Sequence, residues 1–134
     1  MQYDKEISDD KKIKILWREG ASNGGSAILD YFVFFAEAYG EFIELAKGLT
    51  LTEYTTAVPL KPGSTYTFKV KARNRLGESD FSKPIEVLAA RVPDAPKPPQ
   101  NLNQITNVDK IGLSWSTSYY DGGSPILDYT IWWD

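Results

Sequence analysis

Catalysis and metal binding need side chains that exchange protons, attack, or donate lone pairs. Histidine and cysteine, the most versatile of these, are both absent from this 134-residue chain. That removes the usual nucleophile–base pairs and nearly all zinc and copper sites. Carboxylates, lysines and hydroxyls remain. Asp9-Asp10, Glu41 and Glu44 raise calcium, but they lack the dense alternation of oxygen ligands that calcium loops use, so a solvated acidic face is the better reading. Trp17 could stack a ligand, yet it alternates with Ile13 and Ile15 as a core residue of a strand does, and Trp115 repeats the pattern. No catalytic residue, metal or cofactor is expected, and the chain does not read as an enzyme.

The chemistry left is that of recognition, carried by rings and cations. In YFVFF (31–35), if Tyr31, Val33 and Phe35 turn inward, alternation sends Phe32 and Phe34 outward. In YTFKVKARN (66–74), Tyr66, Phe68, Val70 and Ala72 oppose Thr67, Lys69, Lys71 and Arg73, a half-buried strand with one dry and one wet face.

The elements that position these residues are short strands. KIKILW (12–17), EFIELA (41–46), EYTTAV (53–58) and KPIEVLAA (83–90) complete the set, separated by Asn23-Gly24-Gly25, Tyr39-Gly40, Lys47-Gly48, Pro62-Gly63 and Leu76-Gly77. Residues 34–48 are compatible with a helix on composition, but Gly40 and the strands on both sides argue against one. Some seven strands without βαβ alternation predict an all-β antiparallel sandwich. The net charge of −3 gives no reason to expect nucleic acid or an anionic membrane as a partner. No apolar stretch approaches the roughly 20 residues of a membrane span, and MQYDKEISDDKK is too polar and acidic for a secretory signal. Without cysteine, nothing reports the redox compartment, and localisation stays open.

NGGSAILDY (23–31) returns as DGGSPILDY (121–129). Trp17 and Trp115 stand 98 residues apart (115 − 17 = 98), as do Gly24 and Gly122, and Tyr31 and Tyr129. Residues 2–36 lie on 100–134 without a gap, with 12 identical pairs in 35. This period is close to one small domain. RVPDAPKPP (91–99), with four prolines in nine residues, reads as a stiff, extended connector. The expected organisation is a module at 1–91, a linker at 92–99, and the first part of a second module at 100–134.

LKPGSTYTFKVKARNRLGES resembles the E–F corner, F strand and F–G turn of a fibronectin type III domain, and APKPPQNL…IGLSWS…DGGSPILDY resembles the opening third of another. The DGGSPI wording is similar to units of long intracellular muscle arrays and to arrays in other large proteins. The resemblance implies an immunoglobulin-like sandwich, followed by a partial second sandwich of strands A–C. It implies that Tyr66 is a corner tyrosine whose hydroxyl returns to backbone near Leu60–Gly63. It also implies that the strands holding Phe32 and Phe34 and holding Lys69, Lys71 and Arg73 are neighbours. Two such rings bring roughly 300–500 Å² of surface, near the about 300–600 Å² of the largest apolar patch on an ordinary monomer. These five residues are then either a self-covered aromatic–basic face or a protein-contact face. Thr130 and Trp132 are the matching outward positions in the second unit, and Trp132 is the aromatic one.

Tyr31, Phe68 and Tyr129 join Trp17, Trp115 and Tyr66 as expected core. The B–C turn at Asn23 and Gly24 and the F–G turn at Arg75 and Glu78 are candidate loop contacts, although glycine there serves chain geometry first. In an isolated A–C fragment, Ile126, Tyr129, Ile131 and Trp133 would face water, so cover is expected from a second copy, a larger assembly or the first unit. Self-association or strand exchange through residues 100–134 is one route, with the pairing of 2–36 with 37–90 favoured over it. The function expected is a non-catalytic spacer or protein-interaction module of a tandem array. A receptor or adhesion ectodomain is the alternative, opposed by the lack of Arg-Gly-Asp, of Trp-Ser-x-Trp-Ser and of any Asn-x-Ser/Thr sequon. An accessory module of a carbohydrate-active enzyme is a third.

Overall fold

The computed structural model describes residues 1–134, with ten strands and no helix. One sheet is antiparallel in the order β1 (Gln2–Tyr3), β2 (Lys14–Leu16), β5 (Glu53–Thr55). The facing sheet runs β4 (Ile43–Leu49), β3 (Asp30–Glu37), β6 (Thr65–Asn74), with β7 (Gly77–Glu78) and β8 (Ile85–Leu88) both pairing to β6. Residues 2–36 thus pair with 37–90 in ordinary order. The helix-compatible stretch is a hairpin: Ala38, at φ +50°, donates its amide to Thr65 O, and the Gly40 amide returns to Glu37 O.

β6 alternates buried and half-buried positions as its sequence dictates, placing Tyr66, Phe68 and Val70 in the core. Opposite them stand Ile13, Ile15 and Trp17, joined by Tyr31, Val33, Leu60, Val87 and Ala89. The Trp17 ring meets Tyr31 edge-on at 5.5 Å, and Phe35 stacks on Tyr66 at 5.8 Å. The Lys61 amide donates to the Tyr66 hydroxyl at 2.7 Å, which fixes the corner entering β6.

The opening hairpin and the glycine turn of residues 2–36 recur in 100–134 at the same 98-residue offset. β9 (Gln100–Asn101) and β10 (Leu113–Ser114) pair as Gln100↔Ser114, the counterpart of Gln2↔Leu16. Trp115 meets Tyr129 edge-on at 5.9 Å. Asp121 Oδ1 accepts from the Gly123 amide at 2.9 Å, as Asn23 Oδ1 does from Gly25.

Two expectations are corrected here. Trp115 and Tyr129 are not core; they remain 40% and 38% exposed, because no second sheet faces the β9–β10 hairpin. The third strand of the second sandwich does not form either. Residues 124–134 have no neighbouring strand to take their amides and carbonyls, and a strand needs those bonds. The connector is also more engaged than its prolines suggest, since Arg91 and Asp94 donate their amides to Gly122 O and Tyr120 O.

Candidate protein-contact face

The β3–β6 register sets Phe32 opposite Lys71, Phe34 opposite Lys69 and Asp30 opposite Arg73. Rings and cations therefore interleave on the outer face of one sheet. At one end, Arg73 Nε donates to Asp30 Oδ1 at 3.0 Å and Nη2 to Oδ2, a bidentate clamp on a carboxylate that is itself buried. The clamp lays the guanidinium over the Phe32 ring at 5.2 Å. The hydrogen bond to Asp30, then its charge, raise the Arg73 pKa further above its ordinary value.

Phe32 is consequently only 7% exposed. It points outward, as alternation expects, but Arg73 covers it, so at this position the face is the self-covered one of the two alternatives and Phe32 is not an open contact residue. Asp30 and Arg73 belong to the cover.

The middle of the face is built by a segment whose spacing gave no strand signal. Between β7 and β8, Ser79 and Ser82 each donate a backbone amide to β6 (to Ala72 O and Val70 O), and each Oγ accepts the β6 amide in return, at 3.0 Å. Serine oxygens thus stand in for strand carbonyls, and the chain between them arches outward. The arch carries Phe81 across the sheet, where its ring meets Phe34 edge-on at 5.0 Å. Lys71 Nζ lies 4.7 Å from the Phe81 centroid and 3.1 Å from Glu78 Oε2.

Lys69 occupies the other end. Its ammonium sits 4.0 Å from the centroid of Phe42 and 5.5 Å from that of Phe81. Unlike Lys71 and Arg73, it has no carboxylate within ion-pair reach. With Phe81 44% exposed beside it, this end joins an unneutralised cation to apolar surface. Phe42 and Phe81 were not among the expected contact residues: the strand expected at 41–46 begins only at Ile43, which leaves Phe42 just outside it, and Phe81 lies between β7 and β8.

The loop candidates divide. Asn74 Nδ2 donates to Asn23 O at 2.9 Å, tying the two turns together, and Gly24 holds φ +69° there. Glu78 turns to Lys71 and joins the face, while Arg75 stands exposed in the turn. Trp132 is 90% exposed, on the unpaired segment of the second unit. A cleft at the pole of the two turns is lined by Trp17, Asn23, Tyr31, Leu76 and Ser79 among others. Trp17 Nε1 and the Tyr31 hydroxyl are buried without a hydrogen-bond partner. Burial first, then Glu19, pushes the Tyr31 hydroxyl pKa up.

Of the acidic residues, Asp9 caps the β1–β2 turn, its Oδ1 accepting from the Lys11 and Lys12 amides at 2.8 and 2.9 Å. Asp10 is not part of a solvated face as expected: it is 4% exposed, bonded to Tyr120 and facing Arg91.

A family model for the fibronectin type III domain matches residues 3–88. The chain is 33% identical over 119 residues to Fibronectin type-III domain-containing protein 3A of Pongo abelii, covering 88% of this chain and 10% of that protein. It is 29% identical over 127 residues to Titin of Drosophila melanogaster, covering 92% of this chain and 1% of that one. The solved twitchin kinase region from C. elegans superposes with a TM-score of 0.57 at 30% identity, over 63% of this chain and 15% of that one. The chain therefore spans a tenth or less of these curated relatives.

Proposed function

The chain belongs to the fibronectin type III domain family, and from that membership we propose that it serves as a non-catalytic spacer and protein-contact unit of a tandem array. Residues 1–91 are the complete module, 92–99 the connector and 100–134 the start of the next, a division supported by the recurrence of turn and strand geometry at 98 residues. Domains of this family are generally structural or interaction modules, and the relatives here carry this sequence as a small part of much longer chains.

The observation that carries the contact role is the Lys69–Phe42–Phe81 end of the outer face. A cation held over rings and left without a carboxylate suits a protein surface that presents an acidic side chain beside an apolar one. The partner reached through this end is therefore a protein, either another polypeptide or a second copy of the chain.

A photo-crosslinking amino acid at position 81 of the parent protein tests this. Crosslinks to a protein surface, lost on Lys69→Glu with the fold intact, are expected. Crosslinking that is absent, or indifferent to Lys69→Glu, would remove the role. Sedimentation of the wild-type chain at high concentration separates self-contact from contact with another polypeptide.

A further inference from the structure

The repeated turn is built identically in both units but used differently. Gly24 and Gly25 hold φ +69° and +82°, and Gly122 and Gly123 hold +83° and +84°. A Cβ on Gly25 would meet nothing within 4 Å, and one on Gly24 only Asn74 Nδ2 at 3.7 Å. A Cβ on Gly122 would stand 2.1 Å from Arg91 O, and one on Gly123 2.8 Å from the backbone nitrogen of Gly63. In the first unit glycine satisfies the bend alone. In the second it also lets backbone touch backbone.

What the second turn touches is the far pole of the first sandwich. The Arg91 amide donates to Gly122 O at 2.9 Å and the Asp94 amide to Tyr120 O at 3.0 Å. The Tyr120 hydroxyl donates to Asp10 Oδ2 at 2.9 Å, and Asp10 is almost wholly buried. Arg91 lies over the Tyr120 ring at 4.8 Å, with Nε 3.7 Å from Asp10 Oδ1 and Nη1 2.9 Å from Asp94 Oδ1. The β1–β2 turn, the corner before β6 and the segment after β8 thus converge on one tyrosine and two glycines.

We propose that this pole, formed by Asp10, Gly63, Ala89, Arg91 and Asp94, is a built receptor site for a Tyr-Asx-Gly-Gly turn, filled here by Tyr120–Gly123, and that the fit locks the second unit in a set orientation on the first. The lock is keyed. The counterpart of Tyr120 in the first turn is Ser22, which lacks the reach of a phenol. The counterpart of Asp10 in the second unit is Val108, 99% exposed, which cannot accept a hydrogen bond. The acceptor and the plug therefore occur once each, on opposite units, and the same contact cannot be made in the reverse order. The site stands whether or not further strands complete the second unit, since all its members lie within residues 10–123.

Amide hydrogen exchange on the full chain tests it. The Arg91 and Asp94 amides should be protected in the wild type. Tyr120→Phe, which leaves buried Asp10 without its donor, should reduce that protection about tenfold or more. Gly122→Ala should abolish it. Gly24→Ala imposes the same backbone strain where a Cβ meets no backbone, only Asn74 Nδ2 at 3.7 Å, and should leave both amides protected. The Val70 amide in β6 reports that the first sandwich is intact throughout. Unprotected Arg91 and Asp94 in the wild type, or protection that survives Gly122→Ala, would overturn the proposal. So would equal loss in Gly122→Ala and Gly24→Ala.

Discussion

The hydroxyls of Tyr66 and Tyr31 both reach into buried surroundings, and their bonding decides what each is worth. Tyr66 accepts the Lys61 amide at 2.7 Å, whereas Tyr31 has no partner. Tyr66→Phe should cost about 1–2 kcal/mol, because it leaves a backbone donor unpaired. Tyr31→Phe should be neutral or slightly stabilising, since it deletes a polar atom that gains nothing from burial. Urea unfolding of the two variants checks the contrast, and equal costs would contradict it. The Tyr66 bond was legible through the family resemblance, because the corner's residue spacing carries it. The Tyr31 orphan was not, because it depends on what happens to be missing around one atom. Asp10 was illegible for a related reason. Two adjacent aspartates among lysines look like a solvated run, and only a tyrosine 110 residues later makes one of them internal.

At the level of elements, period-two alternation placed the strands that carry the core but failed on β3, where Asp30 through Val33 are all buried. An outward position becomes buried when a neighbouring strand supplies a cover, and the cover here is an arginine some forty residues on, clamped by Asp30. Phe32→Thr should therefore destabilise the sandwich by about 3 kcal/mol, the lower end of what a buried phenylalanine costs on truncation. Phe34→Thr should cost about 1 kcal/mol, since its ring is only half-buried and Phe81 can settle over the gap. Chemical denaturation of the two single variants separates them, and a larger cost at position 34 would mean that Arg73 does not cover Phe32. The Ser79–Ser82 arch was hidden from periodicity because serine side-chain oxygens replace the strand carbonyls in half of its bonds to β6. Those serines read as loop composition until β6 is known to lie beside them.

For the whole molecule, the question is whether residues 92–134 help to make the first sandwich or only rest on it. No member of the buried core cluster lies beyond Ala89, and all three partners of the first sheet come from residues 2–55. The sandwich should fold without its continuation. A chain of residues 1–91 is expected to keep its strand circular dichroism and to lose less than about 1 kcal/mol, since the Tyr120 hydroxyl is replaced at Asp10 by water. Residues 92–134 alone should be unfolded, because a fragment of about 40 residues with one short hairpin buries too little to fold by itself. Strand exchange through residues 100–134 makes the opposite demand: the shortened chain would then lose stability or change its association state. Urea midpoints and sedimentation of the 1–91 and 1–134 chains together distinguish the two. A folded, monomeric 1–91 whose midpoint matches that of the longer chain leaves the second unit no structural role within the first, only a position on its pole.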